Sequence, residues 1–313
     1  MKILVTGGAG FIGAHLVGAL TDLGHSVAVI DNLSTGKRAN LSEHVSLTKT
    51  DVRDADAIAD TFARERPTIA IHLAAQMNVR KSLIDSPADA SVNIMGSLSV
   101  FRAAFGSGVR RLIFASSGGG IYGEQADYPC RESALPRPES PYGISKLAAE
   151  HYGRQYAESR GGQFVALRLA NVYGPRQNPE GEAGVVSLFL SNLLEGRPST
   201  IFGDGEQTRD FVWVGDAVEA FLKAMEGPAG IYNVGTGRET HIIDLYRCLE
   251  RLTGQELPLR REAAIPGEVR RNVLSPDRAR MHLGWTARRT LLGGLEETVR
   301  LVRGSAPVAA RRS

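Results

Sequence analysis

Tyr142 and Lys146, four residues apart, are the side chains of this 313-residue chain best suited to do chemistry. On a helix, positions i and i+4 share a face, so the phenol and the ammonium would lie side by side. A phenol titrates near pH 10, about 3 units too high for a base at neutral pH, which asks for about 4 kcal/mol at 1.36 kcal/mol per unit. A neighbouring ammonium and a cationic cofactor ring both favour the phenolate and together supply that shift. By itself the spacing arises often by chance, and an amphipathic helix with an exposed lysine explains it better. The elements around the pair must decide.

The first of them is Met1-Lys-Ile-Leu-Val-Thr-Gly-Gly-Ala-Gly-Phe-Ile-Gly13, an apolar run, a glycine cluster and an amphipathic segment. It reads as strand, tight turn and helix. Gly7 supplies the positive φ of the turn, Gly10 lets the backbone approach a pyrophosphate, and Gly13 lets the helix pack on the strand. The amides at the helix start, around Phe11 and Ile12, then face the phosphates. The next strand, Ser26 to Ile30, ends in Asp31, at the distance from the glycines where a dinucleotide site places an acid for the ribose hydroxyls. The alternative for Asp31 is a turn cap. An acid there repels a 2′-phosphate, and no arginine follows it directly, so the expected cofactor is NAD.

Beyond Asp31, short β-branched runs alternate with helical patterns, which predicts an α/β fold with a doubly wound parallel sheet. Val45–Leu47 is a strand candidate, and Asp51-Val52 after it would flank an adenine. Thr68–Leu73 is the next strand, with Ala74-Ala75 leaving room at its carboxyl end. His72 reads as a satisfied structural residue. Ser86-Pro87 opens one long helix through Asn93 to about Ala104. The strand Arg111–Ser117 runs into bare backbone, Gly118-Gly-Gly-Ile-Tyr-Gly123. A Pro-rich loop, Tyr128 to Pro141, leads to the helix carrying Tyr142 and Lys146, and the strand Phe164–Leu169 follows.

From Asn171 the alternation loosens. A helix from Val185 to Glu195, a strand Ser199–Phe202, the turn Gly203-Asp-Gly205 and a helix from Asp216 to Met225 are expected, then helices near Pro276–Leu283 and Leu291–Val302. The domain reading is a dinucleotide-binding unit over residues 1–170, with 211–226 returning to it. A smaller α/β substrate lobe takes 171–210 and 227–303, and 304–313 form a fraying tail.

Composition excludes several classes. The chain is 42% hydrophobic and 23% charged, ordinary for a globular protein and not for a disordered one. A net charge of +3 is too small to suggest nucleic acid or an anionic membrane as partner. Cys130 and Cys248 show no metal-ligand spacing, so no metal is expected and a reducing compartment fits. No run approaches the roughly 20 apolar residues of a membrane span, and no signal-peptide pattern is seen, so a cytoplasmic protein is expected.

These features together are similar to the extended short-chain dehydrogenase/reductases of the NAD-dependent epimerase/dehydratase family. The motifs are Thr6 to Gly13, Asp31-Asn32, Asp51-Val52, His72-Leu-Ala-Ala75, Ser116-Ser117, Tyr142 with Lys146, Asn171, and Arg209-Asp-Phe-Val-Trp-Val-Gly-Asp216. The similarity is greatest to members that epimerise UDP-sugars at C4, and covers the chain to about Val302. It implies interconversion of UDP-glucose and UDP-galactose by hydride transfer at C4 through a 4-keto intermediate, with NAD regenerated in each turnover. It further implies that Asn32, Asp51, Val52, Leu73, Ala74, Ala75, Asn93 and Ser116 adjoin the cofactor. The diphosphate would be gripped by Asn171 and Arg209, and uracil bound between Val185-Val186 and Thr200 to Phe202. A homodimer would form through the helices near Ser86–Ala104 and Tyr142–Tyr156.

Two departures stand out. Where relatives carry a hydroxyl four residues before the tyrosine matching Tyr122, this chain has Gly118. Ser117 is then the expected partner of the sugar's C4 oxygen, turned toward it by the freedom of three glycines, with Ser116 or a water as competitors. Where relatives have an arginine before the Gly267-Glu268 pair, this chain has Ile265, and Arg270 or Arg271 is a candidate to take over a diphosphate or ribose contact. Gly119 and Gly120 stand where dehydratases hold acid/base groups, and glycine moves no proton. UDP-hexuronic acid and UDP-N-acetylhexosamine 4-epimerases remain alternatives. A non-catalytic NAD-sensing protein is disfavoured by the presence of both Tyr142 and Lys146.

Overall fold

The computed structural model describes residues 1–179, 184–264 and 269–305. The first half follows a β-α rhythm: β1 (Lys2–Thr6), α1 (Phe11–Asp22), β2 (Ser26–Asp31), β3 (Ser46–Lys49), α2 (Ala55–Glu65) and β4 (Ile69–His72). Then come α3 (Val79–Ile84), α4 (Ser86–Ala90), α5 (Ser97–Gly106), β5 (Arg111–Ser117), α6 (Gly118–Ile121), α7 (Pro141–Ser159) and β6 (Gln163–Leu169). Apolar residues on both faces of β1 explain its central place. Ile3 and Val5 pack with Leu16, Leu20 and Phe221 on one side, while Leu4 packs with Phe62, Phe101 and Phe105 on the other. A strand buried on both faces belongs inside a parallel sheet covered by helices.

The second half adds β7 (Asn171–Tyr173), α8 (Val185–Leu194), β8 (Ser199–Phe202), β9 (Thr208–Arg209), β10 (Phe211–Trp213), α9 (Val214–Ala224) and β11 (Gly230–Val234). It closes with β12 (Thr240–His241), α10 (Ile242–Thr253), β13 (Leu259–Glu262), β14 (Arg271–Asn272), α11 (Asp277–Leu283) and α12 (Leu291–Ser305).

The main sheet has seven strands in the order β11-β6-β5-β4-β1-β2-β3, all parallel. The chain leaves β1 for β2 on one side and later returns to β4 on the other. At such a switch point the loops diverge and open a crevice at the carboxyl edge. The rest of the second half builds on short ladders: β7 with β10, β8 with β13, and β9 between β12 and β14. Its own apolar core gathers Phe189, Leu193, Leu245, Leu249 and Leu295.

Several expectations need correcting. The long helix from Ser86 is divided: α4 passes into a π-helical stretch, Ser91–Gly96, before α5. The glycines after Ser117 are not bare backbone but one helical turn, α6, because the Ser117 hydroxyl caps it by accepting from the Gly120 amide at 3.1 Å. Leu259–Glu262, where no element was expected, forms β13 and pairs with all of β8. β11 lies in the stretch expected for the smaller lobe, yet its register with Val165–Leu169 makes it the edge of the main sheet. α12 extends through Ser305, and the remainder of the expected tail lies outside the described residues.

Candidate active site

The crevice beside β1 is shaped by missing side chains. Gly7 has φ 72°, and a Cβ on it would meet the Ala74 nitrogen at 2.6 Å. A Cβ on Gly13 would run into the Gly7 carbonyl and lie 2.7 Å from the Gly8 Cα, so only glycine lets α1 start this close to β1. α1 begins at Gly10 with no side-chain cap, whereas α2, α4 and α7 are capped by Asp54, Asp85 and Ser140. An uncapped helix start at a carboxyl edge offers its amides to an anion. This cradle fits a dinucleotide diphosphate.

Asp31 acts as a turn cap, the alternative that its position in the sequence left open. Its carboxylate accepts from the Ala9 amide at 2.9 Å and the Leu33 amide at 2.8 Å, pinning the glycine turn to the end of β2. Each oxygen has a second lone pair left for a ribose hydroxyl. Asn32 donates to Asp51 at 2.8 Å, and the Arg53 fork holds the Asp51 carboxyl well below the usual carboxylate range. Val52 is buried against Gly96, where a Cβ would lie 2.6 Å from the Val52 Cγ2.

His72 is structural, as expected. Its ring bridges Thr6 Oγ1 at 2.6 Å and Ser97 Oγ at 3.0 Å, and burial pushes its pKa down to about 3, so it stays neutral. Leu73, Ala74 and Ala75 follow, half-buried at the crevice. Asn93 faces inward instead of toward the crevice. It accepts from the Gln76 amide at 2.9 Å and donates to the Gln76 carbonyl at 2.8 Å and to Asp89 at 3.0 Å. Its side chain shapes the loop after β4 from behind.

On α7, Lys146 is buried and donates to the Ala115 carbonyl at 3.0 Å. Its ammonium lies 4.7 Å from the Phe114 ring centroid and 5.9 Å from that of Tyr142. Burial lowers its pKa to about 8, and the Asp89 and Glu150 carboxylates resist that fall. It therefore remains mostly charged at neutral pH. The Tyr142 ring packs over Gly120, where an added Cβ would come within 3.1 Å of the ring and 3.3 Å of Ser117 Oγ. Ser117 and Tyr142 thus flank one bare Cα.

Strand alternation separates the two serines. Ser116 is buried and donates to Glu150 at 2.5 Å, so its hydroxyl does not reach the cofactor side where it was expected. A hydroxyl at position 118 would point into Leu274, whose Cδ1 lies 2.5 Å from the Cβ position. A Cβ at 119 would lie 2.8 Å from Asn272 Nδ2, and one at 120 would lie 3.1 Å from the Tyr142 ring. All three positions are glycine and carry no acid or base, and a side chain there would require Leu274, Asn272 or Tyr142 to shift.

Behind the site, Arg168 makes a bidentate pair with Glu150 at 3.0 and 2.7 Å and donates to the Tyr122 hydroxyl at 2.9 Å. That hydroxyl donates to Asn233 at 2.8 Å, and burial pushes its pKa up to about 12. Sequence reasoning passed over Glu150, Arg168 and Asp89. Two signals were present: Glu150 stands four residues after Lys146, and Arg168 is a lone charge in the apolar run Phe164–Leu169.

The expected substrate residues are scattered more widely. Asn171 starts β7, its amide bonded to the Asp210 carbonyl at 2.9 Å. Arg209 donates to the Thr208 carbonyl at 2.8 Å, while the Asp210 carboxylate, fully buried, takes hydrogen bonds from Thr236 and Gly237. Thr200 and Phe202 share one face of β8, with Ile201 turned into the core, and the Arg80 guanidinium stacks 4.5 Å over Phe202. Val185 is half-buried, but Val186 belongs to the lobe's apolar core and presents no surface for a base. Arg270 is forked on Asp204 and Arg271 on Glu239, both pairs lying at the surface. Ile265 and Glu268 lie outside the described residues.

The profile of the NAD dependent epimerase/dehydratase family matches residues 3–235. The chain belongs to this family. It is 42% identical to a UDP-glucose 4-epimerase of Mycolicibacterium smegmatis, over 97% of this chain and 99% of that one. The crystal structure of UDP-glucose 4-epimerase with UDP-glucose from Thermotoga maritima superposes with a TM-score of 0.95 at 42% identity, covering 97% and 99% of the two chains. The NAD complex of the Thermus thermophilus UDP-glucose 4-epimerase gives 0.94 at 42% identity, over 98% and 100%. The family is NAD-dependent, and the cradle around Gly7, Gly10 and Gly13 is where its cofactor fits.

Proposed function

We propose that this family member is an NAD-dependent UDP-sugar 4-epimerase that interconverts UDP-glucose and UDP-galactose. One observation carries the reading. Tyr142 and Ser117 flank the bare Cα of Gly120 at the end of β5, Lys146 lies beside the Tyr142 ring, and the glycines at 118 to 120 carry no further acid or base. Chemistry confined to C4 needs no more than this; dehydration does. NAD, when bound, supplies the oxidising and then the reducing equivalent at that carbon.

The chain's own residues do the rest. The Tyr142 oxygen takes the proton of the C4 hydroxyl and later returns it. Lys146, charged and held at the Ala115 carbonyl, favours the phenolate. Ser117 accepts from the Gly120 amide, which leaves its own proton to donate to the C4 oxygen. The uncapped start of α1 binds the cofactor's diphosphate and Asp31 its ribose, with Asn32, Asp51, Val52 and Leu73 to Ala75 along its length. Asn171 and Arg209 hold the substrate's diphosphate, and the face of β8 carrying Thr200 and Phe202 adjoins its base.

A homodimer formed through α4–α5 and α7 is part of this proposal. Met95, Ile144 and Tyr152 on these helices are exposed large apolar residues, and a second copy would cover them. A cytoplasmic role in galactose metabolism is the fitting context. Among the described residues no helix is long and apolar enough to cross a membrane, and both cysteines are unpaired.

Incubation with UDP-galactose and no added oxidant tests the function. UDP-glucose should accumulate, and the same mixture should be reached from UDP-glucose. Conversion of UDP-glucuronic acid alone would favour the uronic acid reading.

A further inference from the structure

Asp89 is a buried carboxylate that collects donors from three segments. It is 1% exposed, near the end of α4. Its Oδ1 accepts from Gln76 Nε2 at 2.8 Å and Asn93 Nδ2 at 3.0 Å, and its Oδ2 from Ser145 Oγ at 2.7 Å. Gln76 belongs to the loop after β4, Asn93 to the π-helical stretch, and Ser145 to the catalytic helix, directly before Lys146. All three donors are neutral, so none repays the desolvation of the anion as a cation would. A fold that needed only a mechanical tie here could use an amide. A π-helical stretch beside the site, Ser91–Gly96, points the same way, since such stretches concentrate at functional positions.

We propose that Asp89 is a positioning residue for the epimerase base: its carboxylate ties α7 to the loop after β4 and holds a negative charge toward the Lys146 ammonium. The inference rests on the reading of Tyr142 and Lys146 given above. The surroundings of Lys146 single Asp89 out. Glu150, on the same helix, is neutralised by the Arg168 fork from β6. His72, from β4, is neutral. β5 contributes the Ala115 carbonyl and the Phe114 ring, and Tyr142 is the proton carrier itself. Both carboxylates support the ammonium against burial, Asp89 the more, and Asp89 is the one of the two not forked by an arginine.

The test is the pH profile of kcat for UDP-galactose in Asp89→Asn. Removing a negative charge disfavours the ammonium, so the alkaline limb should move to lower pH by about one unit, roughly a tenfold loss on that limb and little change near pH 6. Asp89→Glu restores the charge and should return the limb toward wild type. Ser145→Ala cuts the tie but keeps the charge, so kcat should fall several-fold with the limb in place and the NAD content unchanged. An equal loss at every pH in Asp89→Asn would mean a merely structural role and overturn the proposal. If Asp89→Asn is recovered unfolded, Ser145→Ala decides, and wild-type kcat in that variant overturns it. Tyr142→Phe run alongside separates the two readings. Activity surviving there defeats the base assignment, whereas an inactive Tyr142→Phe with an unmoved limb in Asp89→Asn defeats only this one.

Discussion

The two halves of the site are built in opposite ways. The cradle between β1 and α1 is made of backbone: Gly7, Gly10 and Gly13 clear space, and an uncapped helix start supplies amides. The corner between β5 and α7, where the proposed base lies, is made of side chains, each held by another. Lys146 is fixed on a carbonyl, Ser117 on the Gly120 amide, and Ser116, Glu150, Arg168 and Tyr122 form a buried chain behind them. A backbone site tolerates no added atoms but asks little of distant residues. A side-chain site tolerates small changes of shape but depends on every partner, because an orphaned buried polar group costs about 1–3 kcal/mol.

Breaking the catalytic corner at its centre should have the largest effect. Tyr142→Phe keeps the ring over Gly120 and removes the ionisable oxygen, so epimerisation should fall by roughly 100-fold to 10,000-fold, the range for a general base. NAD content and thermal midpoint should stay near wild type. Near-normal turnover in a folded variant would place the base elsewhere.

Next comes the cradle. Gly13→Ala puts a methyl against the Gly7 carbonyl and the Gly8 Cα, and overpacking of this kind costs about 1–3 kcal/mol. The protein should purify with little NAD and melt several degrees lower. Full NAD content with an unchanged melting temperature would show that α1 is not packed as tightly as the cradle requires.

The adjoining serines sharpen the comparison most finely. Ser117→Ala should lower kcat/KM by an amount equivalent to about 1–3 kcal/mol, the loss of one polar partner. Ser116→Ala should instead lower the thermal midpoint, since it strips a donor from Glu150 inside the protein. Reversal of these two outcomes would mean that the faces of β5 are assigned the wrong way round.

Much of the cradle was legible in the sequence, because its parts are local. Gly7, Gly10 and Gly13 lie within one turn, and Asp31 follows a single strand later. The Tyr142–Lys146 pair was legible for the same reason: a helix fixes i and i+4 on one face whatever packs around it. The small lobe was less so. β9 and β12 are two residues each, too short for a periodic signal, and they exist because Thr208-Arg209 meets Thr240-His241 across about 30 residues of chain. The place of β11 in the main sheet likewise depends on a neighbour, β6, more than 60 residues earlier.

The sequence by itself determined the alternation of strands and helices through the first half, the glycine turn, the acid after β2 and the spacing of Tyr142 and Lys146. These follow from local sterics and from the period of the backbone. Only the tertiary structure decided that Ser116 is buried on Glu150 while Ser117 caps α6, that Leu274 and Asn272 pack against positions 118 and 119, that Asn93 looks inward, and that Arg270 and Arg271 pair with Asp204 and Glu239. Each of those facts joins residues tens of positions apart or more. Which polar group finds which partner is settled when the helices and the two lobes pack, by the cost of leaving any of them buried and unpaired.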